Sequence, residues 1–150
     1  IYKIILNSLK YALKLMKPGN HWTDITHKVQ LKLYDECLKI KLILPIDNIQ
    51  DKIQLIKLLM PHSLGHHVGL NNHDCDSINY LQENMIIAVE PGIYFRENIT
   101  SPLINKKIWS KYKHIGGIRL EDTIIITNKG YTNLSTITKE INGIEQIMKK

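Results

Sequence analysis

The chain has 150 residues, 43% of them hydrophobic, which suits one globular domain with a real core. Its two cysteines, Cys37 and Cys75, are far apart and outside any C-x-x-C pattern, so a disulfide framework or a structural zinc site is disfavoured and a reducing, cytoplasmic setting is expected. The net charge of +6 comes from scattered lysines, with Arg96 and Arg119 the only arginines and no stacking aromatics beside a basic cluster. That pattern argues against a nucleic-acid partner, and no apolar run approaches the roughly 18 residues of a membrane span.

Ile1, Ile4, Ile5, Leu9, Leu13 and Met16 fall at helical spacing, with Lys3, Asn7, Lys10 and Lys14 between them. They predict an amphipathic helix, stopped by Lys17-Pro18-Gly19. The same segment lacks arginine and a small-residue cleavage pattern, so it does not read as a targeting peptide. Thr23 is the expected N-cap of a second helix, with Asp24 in its first turn. Ile25, Val29, Leu33 and Cys37 form its buried stripe, widened by Tyr34 and Leu38. Residues 40–44 alternate too weakly to assign. Pro45 to Asn48 reads as a turn and Ile49 to Leu59 as a short helix.

Next comes Pro61 to Asp74, with four histidines, two glycines and one acid in fourteen positions. Gly65 and Gly69 would let the backbone approach a neighbour closely. Met85 to Val89 is a β-rich run that ends at Glu90, and Pro91-Gly92 breaks the ladder at once. Glu90 therefore sits at a strand end, where a side chain can project into a cleft. A strand resumes at Ile93 to Phe95, and Arg96 to Lys113 reads as a polar, irregular excursion. In the strand expected from Ile118 to Glu121, Arg119 and Glu121 share one face. Thr123 to Thr127 is a further strand, Asn128 to Gly130 a turn, and Lys139 to Met148 a closing helix.

His66, Glu90 and Glu121 have the donor chemistry of ligands to a hard or borderline divalent ion. Two ions bridged by a carboxylate would stabilise charge on an attacked carbonyl, although one His and two Glu are too few donors for such a pair. The structural alternative stays open on spacing alone. A single histidine in a chain of seven is commonly structural, and a glutamate at a strand end is commonly solvated. Arg119 and Glu121 would then pair with other surface charges for little energy.

Three segments also carry a resemblance. His62-Ser63-Leu64-Gly65-His66, with Gly69-Leu70 and His73-Asp74, resembles the His-Gly-Leu-Gly-His … His-Asp signature of Xaa-Pro aminopeptidases and prolidases. These are the pita-bread metallopeptidases. Met85 to Phe95 is similar to their glutamate segment, and Gly116 to Thr127 to their last ligand segment. Lys17-Pro18-Gly19 and Asn133-Leu134-Ser135 match in order as well.

The resemblance implies an α+β fold, about half of a pita-bread, with helices packed on a curved, mainly antiparallel sheet. It implies His66, Glu90 and Glu121 as metal ligands, Glu121 bridging, with Glu90 also helping to move the proton of the attacking water. His73 would donate to the oxyanion, His62 would bind substrate near the proline side, and Arg119 would orient ligands or substrate. Two divalent ions are implied, manganese first and cobalt or zinc as alternatives. The substrates implied are proline-containing peptides cut before the proline, and a homodimer of the full-length protein is compatible with the likeness. The family's two further aspartate ligands, one in an Asp-x-Gly context, lie on an upstream hairpin, and no Asp-x-Gly occurs here. Residues 1–150 are therefore expected to be the C-terminal part of the catalytic domain. Asn71 and Cys75-Asp76 depart from the common pattern around the last histidine. The leading expectation is an aminopeptidase. The alternatives are a dipeptidase, a non-catalytic pita-bread binding module, and a metal-free hydrolase resembling creatinase.

Overall fold

An apolar stripe every three to four residues needs a partner surface, and three helices in the first 60 residues supply one another's. In a computed structural model that describes residues 1–75 and 77–149, α1 spans Tyr2–Lys14, α2 Trp22–Lys39 and α3 Ile49–Leu59. α2 packs against both α1 and α3. The stripe on α2 is sealed as its spacing implies: Val29, Leu33 and Cys37 are wholly inaccessible and Ile25 nearly so. Each such side chain contributes about 1.5–3 kcal/mol of burial free energy. Burial also pushes the Cys37 thiol up to about 12, which makes it a small inert core group.

α2 begins two residues earlier than an N-cap at Thr23 would set it. His21 is the N-cap, without a side-chain cap bond, because its backbone is held in an isolated bridge to Tyr80. α3 starts where expected. Asn48 Oδ1 accepts from the N–H groups of Gln50 and Asp51, satisfying two of the helix's orphan donors.

The strands follow: β1 Gly65–His67, β2 Ile86–Val89, β3 Gly92–Tyr94, β4 Gly117–Arg119, β5 Asp122–Thr127 and β6 Gly130–Asn133. One sheet has the order β1-β2-β5-β6, a second pairs β3 with β4, and every pairing is antiparallel. The stretch from Arg96 to Lys113 is not irregular throughout. Helix α4, Lys106–Tyr112, lies within it, started by Asn105 and followed by a short 3-10 turn. None of its residues is fully buried, and its apolar face, Ile108, Trp109 and Tyr112, packs on the core at Phe95 over less than two turns. α5, Ile141–Met148, closes the chain.

β5 alternates strictly. Asp122, Ile124 and Ile126 are buried, while Thr123, Ile125 and Thr127 are only half-buried. Ile87 and Val89 of β2 pair with Ile124 and Asp122 and share that sealed face. Leu6, Leu9 and Leu13 of α1 line the same small cleft as Asp122, so this face is the one that packs on the helices. The architecture is α+β, with helices on the back of an antiparallel sheet.

Candidate active site

The other face of the same strands carries the candidate ligands. His66 pairs with Ala88 across β1 and β2, and Ala88 pairs with Thr123 across β2 and β5. Glu90 is two residues beyond Ala88 and Glu121 two residues before Thr123. By strand alternation all three functional positions belong to one side. The two sheets also share a register. Val89 opposes Asp122 in one and Gly92 opposes Arg119 in the other, so either ladder, carried across the gap, sets Glu90 opposite Glu121. The Leu120 N–H donates to the Pro91 carbonyl at that break. Pro91, lacking an N–H, interrupts the ladder where the two glutamates leave it.

β1 reaches this position because residue 65 is glycine. A Cβ there would lie 1.8 Å from the Ala88 carbonyl oxygen, so no other residue fits the approach of β1 to β2. Gly69 is constrained likewise by the Asp74 carboxylate, 1.9 Å from where its Cβ would stand. That carboxylate also accepts from Asn71 and folds the loop back toward β1.

Within this frame His66 Nε2 is 3.7 Å from Glu90 Oε1. Arg119 Nη1 donates to Glu90 Oε2 at 3.1 Å. Glu90 is buried and its carboxylate is thus held from one side by a guanidinium and faced from the other by an imidazole. His73, on the following loop, stacks on His66 with ring centroids 3.9 Å apart and planes 20° from parallel. Glu121 is exposed. His62 meets Tyr94 edge to face at 5.3 Å, and its Nε2 is buried with no hydrogen-bond partner among the described residues. A buried imidazole nitrogen without a protein partner can bond a ligand's polar group. Burial raises the Tyr94 hydroxyl above its ordinary range, with Arg119 pulling it down and Glu90 pushing it further up.

The donor chemistry fits a divalent cation in part. His66 Nδ1 lies 2.8 Å from the His67 carbonyl. A proton donated there leaves the Nε2 lone pair facing the Glu90 carboxylate, and two lone-pair donors facing across a short gap are what a shared cation needs. Among the described residues, however, no three His, Cys, Asp or Glu side chains converge closely enough to hold an ion. The chain brings His66, Glu90, Arg119 and His73 together and sets Glu121 across from Glu90 without closing a ligand cage. His67 pairs with Ile87 and lines the same cleft as His66 and His73. Asp76 lies outside the described residues.

Two neighbours escaped the sequence reading. Tyr94 shares strand parity with Glu90, the signal that could have found it. Trp22 lines, with Ser63, His66 and His73, a cleft of about 470 Å³, brought there by the bridge from His21 to Tyr80 and its own N–H bond to the Asn79 carbonyl.

An imidazole and acidic groups at a proline-broken antiparallel sheet, backed by helices, is the build of the α+β metallopeptidases. The model of metallopeptidase family M24 matches residues 1–128, and the chain belongs to that family. Among similar proteins, a probable Xaa-Pro aminopeptidase of Tuber melanosporum is 33% identical over 96% of this chain and 37% of its own length. An uncharacterized peptidase of Saccharomyces cerevisiae is 32% identical over 100% of this chain and 33% of its own. In solved structures, proline aminopeptidase P II from Yersinia pestis superposes with a TM-score of 0.81 at 27% identity, over 99% of this chain and 34% of that one. The chain spans about a third of the length of the curated relatives it matches.

Proposed function

We propose that this chain is the C-terminal part of the catalytic domain of a metal-dependent Xaa-Pro aminopeptidase. The observation that carries the reading is His66 and Arg119 converging on the buried Glu90, with Glu121 in the opposing register position. The relatives' names supply the substrate class: a peptide with proline in second place. We place the protein in the cytoplasm on its cysteine usage.

In this reading His66, Glu90 and Glu121 would hold divalent metal ions, two in number and manganese by preference. A bound ion supplies Lewis acidity toward the scissile carbonyl and a supply of nucleophile at neutral pH. The family likeness implies two further aspartate donors, which would complete the set. The chain's own residues do the rest. Glu90, held by Arg119, would accept a proton from the attacking water. His73 donates to the oxyanion. His62, with its unpartnered Nε2, binds the substrate's proline side, and Tyr94 orients the His62 ring from its edge. Cleavage before proline needs such a site because the bond is a tertiary amide with no N–H for recognition.

The test is hydrolysis of Xaa-Pro and Xaa-Ala peptides, with and without manganese, by the 150-residue chain and by the chain joined to its upstream region. Turnover restricted to Xaa-Pro, dependent on the ion and on the upstream region, is the expected result. Robust manganese-dependent turnover by the 150 residues alone contradicts the shared ligand set.

A further inference from the structure

Lys139 lies beyond residue 128, where the match to the family model ends. Its ammonium sits 2.5 Å from Asp122 Oδ1, with the two side chains only 19% and 6% exposed. Asp122 opens β5 directly after Glu121, and it pairs with Val89, the residue directly before Glu90. It occupies the helix-packed face, where the alternation with Ile124 and Ile126 would be continued by an apolar residue. A carboxylate there costs desolvation that only a close partner offsets, and Lys139 is that partner.

The segment carrying Lys139 is itself fastened at both ends. Ser135 Oγ accepts from the Thr123 N–H at 2.9 Å, and the Leu134 N–H donates to the Thr123 carbonyl at 2.8 Å. Tyr2 Oη donates to the Lys139 carbonyl at 2.9 Å, tying it to α1. The back of the sheet is therefore braced at the one level where both site glutamates emerge on the front.

We propose that Lys139 is a positioning residue: its ion pair with Asp122 fixes the strand ends from which Glu90 and Glu121 project, and so sets the affinity of the site for divalent ions. The inference rests on the reading of Glu121 as an ion ligand. It concerns a residue behind the sheet that touches neither substrate nor ion.

The experiment is a manganese titration of the full-length protein, followed by the paramagnetic resonance of the free ion, with no substrate present. Lys139→Met should weaken manganese binding by about tenfold or more, the scale of a lost outer partner of a ligand shell. Lys139→Arg should restore near-normal binding. Lys10→Met, which removes an exposed pair with Glu140, should leave it unchanged. Should Lys139→Met not fold, the double variant Asp122→Leu, Lys139→Met removes both charges and keeps the face filled, and the same weakening is expected. Normal affinity in either folded variant, or a loss in Lys139→Arg as large as in Lys139→Met, overturns the proposal. Glu121→Ala separates the two claims. If it binds manganese normally, the ligand reading fails. If it binds weakly while Lys139→Met binds normally, the ligand reading stands and the positioning role falls.

Discussion

The two faces of strands β2 and β5 differ in almost every physical respect. On the back, Ile87, Val89, Ile124 and Ile126 are wholly sealed from water against the helices. On the front, one residue out of phase, stand His66, Glu90 and Glu121, with Arg119 reaching across to Glu90. The back face is where the stability of the sheet comes from, at about 1.5–3 kcal/mol per sealed aliphatic side chain. The front face holds a buried carboxylate beside a half-buried imidazole, an arrangement that contributes little to folding and suits a ligand. A period of two in the backbone is enough to separate the two tasks.

That separation is breakable by mutation. Glu121→Ala in the full-length protein should reduce Xaa-Pro hydrolysis to background while moving the melting temperature little, because Glu121 is exposed. Glu97→Ala, an exposed glutamate away from the ladder, should leave kcat/KM near wild type. Equal effects of the two would remove Glu121 from the site. Ile124→Ala should do the reverse. It empties a fully buried position and should cost about 2–5 kcal/mol in denaturant unfolding, with kcat/KM per folded molecule retained.

Smaller effects sharpen the contrast by leaving the sheet alone. Asn48→Ala removes the cap of α3 and should cost about 1 kcal/mol with no change in kinetics. The smallest effect is acid-dependent. Hydrogen bonds from Lys32 and Lys39 hold the Glu36 carboxyl below its ordinary value of 4.5. Its contribution is complete above that pH and is lost as pH falls through the lower folded-state value. Unfolding curves of Glu36→Gln and wild type should differ by about 0.3–0.5 kcal/mol at neutral pH and converge in acid.

Much of this was legible in the sequence. Three helices announced themselves because their buried faces recur at helical spacing, and the glutamate strand because Pro91 ends it so abruptly. β1 was not legible: Gly65-His66-His67 has no strand-forming bias and exists only because β2 is there to pair with it. α4 was missed because Ile108, Trp109 and Tyr112 span too short a run to establish a helical period, although Asn105 marked its start. β6, with its Gly-Tyr-Thr-Asn sequence, reads as loop and is held only by β5. In the site, residue types and the family likeness named His66, Glu90 and Glu121. What the sequence lacked was register. That Glu90 falls opposite Glu121, and that Lys139 returns to brace Asp122 behind them, depends on pairings between segments far apart in the chain.

The most direct test is a crystal structure of the full-length protein grown with manganese, with anomalous data collected at the manganese edge. The account predicts density for the ion within about 2.5 Å of donor atoms on His66, Glu90 and Glu121 together. Density only elsewhere, or contacting Glu90 with His66 and Glu121 turned away, would contradict it.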